Sequence, residues 1–406
     1  MSRTSVPVIE IAPRNLLSFG PDTEPLRLQS LNVLIGPNGS GKSNFIEALS
    51  LLRGTTKELR AVFGKDRGGV GSWIWRGAPD AAASLEVVIR SPYPNRMPLR
   101  HHLAFGAPDY MFALLDERIE NERTQKGEAE PYFYYRYQEG RPVLNVKGDK
   151  RFLARESVQP NTSILSQRRD PDTYPEITYL ADLYEKFRVY SDWTFGRNAL
   201  FRKPQMADMR NDRLEEDMSN LGMFLNRLRQ NPQTRKQIIT ALRDLYEGLT
   251  DFDFTIEQGT VQVFFTEQDF YIPATRLSDG TIRYLSLLAI LCDPDPPPLI
   301  CIEEPELGLH PDLLPKLADL LRDASQRTQL IITTHSDILV SAMTDMPEVV
   351  VVCEKHDGRT VMKRLDKEDL KDWLDRYRLG DLWTRPTALP PLCPGPRPTL
   401  GVPAIR

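Results

Sequence analysis

The sequence predicts an α/β protein with a mixed, mostly parallel core sheet, an antiparallel β side sheet and an inserted helical lobe. Three kinds of pattern predict it: continuous apolar runs, alternating runs around glycine turns, and a block of helical periodicity between them. The continuous runs are Leu299 to Ile302, Leu330 to Ile332 and Val349 to Val352. Each is too unbroken for a sheet with one wet face and suits a buried parallel strand. The helix expected between the first two starts at Pro311 and continues through Leu314, Leu317 and Leu321, giving β-α-β order.

Earlier in the chain, a strand at Val8 to Ile11 is followed by a stretch from Leu26 to Ile35 that runs into a glycine-rich loop. Phe45, Ile46, Leu49 and Leu52 then recur at helical spacing, and Gly54 is expected as the left-handed cap that ends this helix. Alternation at Leu85 to Ile89 and Tyr132 to Val146 predicts the antiparallel strands. From about Pro171 to Leu249 the period turns helical, through Ile177 to Phe187, Leu214 to Leu228 and Ile238 to Leu249. A hairpin with Gly259 at its turn returns the chain to the core. The expected organisation is therefore an N-terminal part over 1–170, a helical lobe over 171–250, a C-terminal part over 251–383 and a proline-rich flexible tail over 384–406. That tail carries seven prolines between Pro386 and Pro403 and no apolar periodicity.

Composition narrows the class. With 406 residues, 40% hydrophobic and 27% charged, the chain can bury one large core or a core plus an insert. A formal charge of −4 gives no global attraction to nucleic acid or anionic lipid, so any such contact needs a local basic surface. The N-terminus has no apolar signal segment, and no apolar run approaches the roughly 20 residues that span a bilayer. Neither secretion nor membrane insertion is expected. Cys292, Cys301, Cys353 and Cys393 show no metal-ligand spacing, which fits a reducing cytoplasm.

Four motifs carry chemistry. Gly36-Pro37-Asn38-Gly39-Ser40-Gly41-Lys42-Ser43 is a full G-x-x-x-x-G-K-S between an apolar strand and an amphipathic helix. Its amides, with Asn44 following, are expected to surround the phosphates of ATP; Lys42 reaches the β- and γ-phosphates and Ser43 ligates Mg²⁺. Leu299-Ile300-Cys301-Ile302-Glu303-Glu304 delivers two carboxylates at a strand end, a Walker B pattern in which Glu303 holds Mg²⁺ and Glu304 polarises the attacking water. Leu277-Ser278-Asp279-Gly280-Thr281-Ile282-Arg283 opens a helix with a hydroxyl and a free backbone, an anion site formed by Ser278, Asp279 and Gly280. Because the first loop already encloses the phosphates from one side, this second anion site implies a γ-phosphate bound from the opposite subunit. Thr333-Thr334-His335-Ser336 ends the next strand, where His335 is a candidate γ-phosphate sensor.

In this order, Walker A, signature, Walker B and switch histidine resemble the ABC-ATPase superfamily of P-loop NTPases. Ile302 to Pro311, with Glu303 where transporters have Asp, resembles the RecF/SMC-like and OLD-like predicted ATPases grouped as AAA_21, as does Tyr377 to Trp383. The resemblance covers residues 1 to about 60 and 270 to about 383. It implies an ABC-ATPase head and a homodimer, or a higher assembly, that pairs head to tail on ATP, with Leu309 to Asp312 as the D-loop at the interface. The proline-rich run from Thr384 departs from the group's pattern. The position of the Q-loop is open; Gln167 is the candidate, and with it a third metal ligand.

Three further clusters admit two readings each. Arg197, Arg202, Lys203, Arg210 and Arg213, and separately Lys147, Lys150, Arg151 and Arg155, either touch phosphate backbones or form solvated faces; Asp208, Asp212, Glu215 and Glu216 interleave with the first group. Tyr132, Phe133, Tyr134, Tyr135 and Tyr137 either stack bases or pack a sheet. Two functions follow: an ATPase that acts on DNA in repair, genome maintenance or anti-phage defence, or a regulatory ATPase subunit that controls a separate effector such as a Toprim-type nuclease. A transporter ATPase is disfavoured by the signature and by Glu303.

Overall fold

The computed structural model describes residues 6–380 apart from 65–67, 139, 147–148, 153–158, 160, 192, 194–195, 197–198, 246–247, 269, 369 and 371–377. Cys393 and the proline-rich tail lie outside the described residues, as do Arg197, Lys147 and Arg155.

The three apolar runs and the end of the Leu26 to Ile35 stretch become the centre of a six-stranded sheet in the order Arg188–Tyr190, Leu299–Glu303, Gln329–Thr333, Leu31–Ile35, Val350–His356, Arg359–Arg364. The first five are parallel, and the sixth returns antiparallel as a hairpin. Alternation within each strand divides its side chains between two cores. Leu31, Val33, Ile35, Ile300, Ile302, Leu330 and Ile332 face one core, with the helices Leu221–Arg229, Pro232–Leu245, Asp279–Leu291 and Leu314–Ala324. Leu34, Leu299, Cys301, Ile331 and Val351 face the other, with the helices Lys42–Gly54 and Pro175–Glu185 and the antiparallel side sheet. Burial of both faces explains why these runs read as unbroken.

The side sheet has eight strands, from Leu26–Arg27 and Val8–Arg14 across to Arg141–Val146 and Asp149–Phe152. Gln329 staples it to the core sheet. This side chain, fully buried at the start of its strand, accepts from the Val8 N–H at 3.1 Å and donates to the carbonyls of Val8 at 2.8 Å and Gln29 at 3.0 Å. A third, smaller sheet of Gln205–Met206, Leu249–Glu257, Thr260–Glu267 and Phe270–Pro273 packs on the helix Leu221–Arg229; its hairpin turns at Gly259 as expected.

Three local expectations are corrected. Gly54 is the last helical residue and has no left-handed φ; its lack of a side chain instead admits Val62, whose Cγ2 lies 2.3 Å from where a Cβ would be. The helix expected from Leu214 starts at Leu221, because the chain before it winds around Asn220, whose side chain binds Glu215 N and the carbonyls of Arg210 and Arg213. The segment 171–250 also carries a strand of the central sheet, Arg188–Tyr190, so its helices share the two cores of the rest.

If Gln329 is the staple, Gln329→Leu strands the N–H and C=O of Val8. We expect about 2–4 kcal/mol of lost stability, since a buried unpaired group costs roughly 1–3 kcal/mol. Urea unfolding measures it, and a midpoint equal to the parent's would refute the role.

Candidate nucleotide site

Register puts the site at one edge of the core sheet. Glu303 pairs with Thr333 and Thr333 with Leu34, so the carboxyl ends of three neighbouring parallel strands terminate together, where ligands of open α/β sheets bind, while the fourth, Val350–His356, pairs with Ile35 through Val352 and runs on past them.

The glycine-rich loop leaves the central strand and closes over its own backbone. Gly39 and Gly41 have φ of 75° and 102°, in the region that favours glycine. A Cβ on Gly36 would meet the Cys353 carbonyl at 2.2 Å, and one on Gly41 would meet Thr360 Oγ1 at 2.1 Å. Thr360, 2% exposed, donates its hydroxyl to Ser40 O at 2.8 Å and stands 2.7 Å from the Ser18 hydroxyl. The hairpin Val350–Arg364 is therefore the seat of the loop. Sequence reading missed Ser18 and Thr360, which belong to no motif. The Lys42 ammonium donates to the carbonyls of Gly36 at 2.7 Å and Pro37 at 3.2 Å. Burial lowers its pKa below the ordinary lysine value, opposed by Cys353, Glu304, Glu303 and Glu306.

The residues fit a nucleotide phosphate: glycines leave a backbone cradle, the buried Ser40 hydroxyl has no partner, and Lys42 rests on replaceable carbonyls. They fit Mg²⁺ as a site shared with phosphate oxygens, with Ser43 and Glu303 as the protein donors. No group of three or more His, Cys, Asp and Glu side chains that would hold a metal by itself occurs among the described residues.

Beyond Glu303 the chain turns sharply. Glu304 has φ of +44°, uncommon for a residue with a side chain, and its N–H is held by Thr333 O at 3.0 Å. Its carboxylate and the His335 imidazole are 3.6 Å apart, each about one-third exposed. Glu306, unassigned by the sequence, organises the histidine loop: its Oε1 accepts from Thr334 Oγ1 and His335 N–H, both at 2.7 Å. Leu379 is buried and lines the same loop's cleft with Ile35, Thr334 and His335, which gives the C-terminal pattern a packing role.

Ser278 caps the signature helix by accepting from Thr281 N–H at 3.1 Å, and both Ser278 and Asp279 are exposed. Behind them the motif is anchored to its own subunit. A Cβ on Gly280 would lie 2.8 Å from Gly308 O. Arg283 donates to Glu304 O at 2.7 Å and lies 4.7 Å over the Trp193 ring, while Trp193 Nε1 donates to Glu303 O at 2.8 Å. Burial pulls the Arg283 guanidinium down to about 10, against the opposing pull of Glu306 and Glu304. Trp193, like Ser18 and Thr360, carried no sequence signal.

Gln167 stands apart. Its carboxamide accepts from Gln159 N–H at 2.7 Å and donates to Thr162 O at 2.9 Å, and it shares no hydrogen bond with the loop or the strand-end carboxylates among the described residues. Of the basic cluster, Arg202 is internal, donating to Leu277 O at 2.7 Å and to Asp279 Oδ1 at 2.5 Å. Arg210 pairs with Asp212 at 2.7 Å and Arg213 with Glu215 at 3.7 Å, so those two form a charge-balanced face. Tyr135 is sheet core, fully buried, whereas Tyr132 and Tyr134 line a cleft. Cys292, Cys301 and Cys353 are free and buried, and burial pushes Cys292 and Cys353 up to about 12. No helix among the described residues is long and apolar enough to cross a membrane.

Comparison with known proteins agrees with this geometry. Among curated proteins no sequence match is found. Among solved structures, the SMC head bound to the C-winged helix domain of ScpA aligns with a TM-score of 0.54 at 14% identity, over 90% of this chain and 99% of that one. An Smc head with an extended coiled coil bound to the C-terminal domain of ScpA, from Pyrococcus furiosus, aligns with a TM-score of 0.52 at 12% identity, over 91% and 98%. Both share the fold. The family model AAA_21, described as an AAA domain, putative AbiEii toxin, Type IV TA system, matches residues 31–341, and with the glycine loop, strand-end carboxylates and SMC-head fold already in place, the chain belongs to this family of P-loop NTPases.

Proposed function

We propose that this chain is a Mg²⁺-dependent ATP hydrolase of the cytoplasm whose site is completed by a second copy pairing head to tail, and whose cycle acts on DNA. The observation that carries the shared site is the exposure of Ser278 and Asp279 at a helix N-terminus, with no hydrogen bond among the described residues to the loop of their own chain. A helix start of this kind favours anionic oxygen, and the partner's γ-phosphate is the anion that pairing would bring to it.

The chain's own residues supply the rest. Loop amides and the first turn of the helix Lys42–Gly54 hold phosphate oxygens, and Lys42 exchanges the Gly36 and Pro37 carbonyls for them. Ser43 and Glu303 would hold Mg²⁺, which would supply neutralisation of phosphate charge. Glu304 accepts the proton of the attacking water, and His335 stands beside it against the γ-phosphate. Gln167 joins the metal only by giving up the bonds within its own turn. Arg283 and Trp193 hold the carbonyls of Glu304 and Glu303, which makes them positioning residues for the base. The DNA reading extends the SMC-like fold, and its biological setting would be repair, genome maintenance or defence. A second reading, control of a separate effector protein, is favoured by the two head structures that carry a bound partner domain.

Three outcomes test these roles. Glu304→Gln should keep ATP binding and lose about 10²–10⁴-fold in turnover, whereas Lys42→Ala should weaken binding itself; a Glu304→Gln enzyme with parental turnover would exclude Glu304 as the base. Arg283→Met should leave nucleotide binding unchanged and lower kcat about tenfold to hundredfold, as expected when a catalytic group is displaced by about 1 Å, and an unchanged kcat would remove the positioning role. Ser278→Arg should bind ATP but neither pair nor hydrolyse. Mixed with Lys42→Ala, it should regain one working site per confirmed heterodimer, and an inactive heterodimer would refute the shared site.

A further inference from the structure

Two clefts adjoin on the antiparallel sheet. One, of about 740 Å³, lies among the loop 90–98, the strand Phe133–Gln138 and the start of the helix Pro175–Glu185. The other, of about 970 Å³, shares Tyr93, Asn95 and Arg96 with it and runs on past Arg90, Tyr179 and Lys186 to the three prolines 296–298. Each has the size of a small-ligand site, roughly 300–1,000 Å³. Joined through a shared wall, they form one open groove that suits an elongated occupant.

The lining combines flat rings with cations, of which Arg90 donates to Val6 O at 3.2 Å and Arg96 lies over the Tyr93 ring. Tyr93, Tyr132, Tyr134 and Tyr174 wall the first cleft. Tyr93 is 40% exposed and lies 5.1 Å from the Arg96 guanidinium, while Tyr132 and Tyr134 meet edge to face at 5.2 Å. Arg90, Arg96 and Lys186 are exposed and in no ion pair among the described residues. Two carboxylates of the groove are balanced from outside it: Asp182 by Arg169 at 3.9 Å and Asp212 by Arg210 at 2.7 Å. Glu176 and Asp295 remain on its wall. Carboxamides lie between the rings; Asn121 accepts from the Tyr134 hydroxyl at 2.9 Å, and the Asn145 Oδ1 is buried without a partner.

We propose that this groove binds a single strand of nucleic acid, bases on the tyrosine faces and phosphates on Arg90, Arg96 and Lys186. Alternating aromatic faces and cations are what a strand requires, because every base has a π-face and every linkage a charge. An acidic peptide would use the cations and leave the rings idle; a proline-rich peptide would use the rings and leave the cations idle. The proposal rests on the reading that the ATPase acts on nucleic acid and gives it a surface that the charge-balanced face borders, since Asp212 and Arg213 line the second cleft.

The test is fluorescence anisotropy of the full chain with labelled oligodeoxythymidylate and oligouridylate of about 20 nucleotides, and with duplex DNA, at two salt concentrations. Single-strand binding by the parent should weaken about tenfold in Tyr93→Ala/Tyr132→Ala and survive in Tyr93→Phe/Tyr132→Phe, which keeps the rings. Arg96→Glu/Lys186→Glu should weaken it and flatten its salt dependence, with basal ATPase unchanged in all three variants. Binding of both oligomers, or of one, supports the groove and identifies which sugar it takes. Alanine or charge-reversal variants that bind like the parent, or a parent that binds duplex but no single strand, overturn the groove and leave the nucleic-acid reading standing. A parent that binds no nucleic acid with or without ATP overturns both.

Discussion

Everything at the nucleotide edge depends on the parallel register of three strands. Because Glu303, Thr333 and Leu34 share one row of pairings, the loop that would hold phosphate, which leaves after Ile35, and the carboxylates that would act on it start from neighbouring rungs. The ladder extends one residue beyond the strand: Glu304 N–H still reaches Thr333 O while its φ turns positive. Such a backbone persists only where its surroundings over-determine it. Here the surroundings are specific, since the N–H is held by the neighbouring strand and the C=O by Arg283. A side chain fixed in this way has little freedom to lose when it acts, which is the physical content of a pre-organised base.

The signature motif consequently has two faces. Its exposed face, Ser278 and Asp279 at the helix start, is the one proposed to meet a partner's phosphate. Its inner face, Gly280 and Arg283, touches Gly308 and Glu304 of the same chain. Arg202 closes the arrangement from behind, binding carbonyls on both sides of the motif's start together with Asp279. Any force on the exposed face therefore reaches the Glu303–Glu304 backbone through one buried guanidinium and one indole, without crossing the sheet. Were two copies to pair on the exposed face, this would be a short mechanical route to Glu304, made of one charge-assisted hydrogen bond from Arg283, the stronger kind, and one neutral bond from Trp193.

Much of this was legible in the sequence, for identifiable reasons. Continuous apolar runs announced the core strands because burial on both faces removes the alternation that water would impose. The glycine loop, Glu303, Glu304, Ser278 and His335 were legible because phosphate chemistry restricts residue type and spacing together. Gly54 misled because glycine near a helix end has two uses, a left-handed φ or a close approach, and only the position of Val62 distinguishes them. The helix expected from Leu214 failed because Asn220 offers its backbone a competing set of partners. Trp193, Thr360 and Ser18 left no readable signal, since each acts through a contact with a distant segment and none lies at a motif spacing; Glu306 lies within the Ile302 to Pro311 run, but its hold on the histidine loop is likewise a contact that only the fold makes. Arg202, Arg210 and Arg213 show the same limit from the other side: their charge was evident, but its balance depends on folded geometry.

The second core raises the question of what joins the nucleotide edge to the antiparallel sheet. The helix Lys42–Gly54 begins in the phosphate loop and ends where Thr56 O accepts from Arg169 at 3.2 Å. Arg169 also pairs with Glu185 at 2.9 Å, at the far end of the helix Pro175–Glu185. That helix buries Ile177, Leu180 and Tyr184 against the side sheet, and its Tyr179 hydroxyl donates to Arg90 O at 3.1 Å, on the loop that walls the tyrosine-lined groove. The two regions are thus connected by packed side chains and hydrogen bonds throughout. Contiguity alone is not coupling, which requires an element with two arrangements that both sites bias. The turn holding Gln167 has the right construction for such an element: it is capped by Ser163, pinned by the buried Glu117 through Ile164 N–H at 2.9 Å, and closed by a carboxamide whose bonds are all local and exchangeable. Were Gln167 to leave that turn for the metal, Arg169 two residues on would carry the displacement to both helices at once.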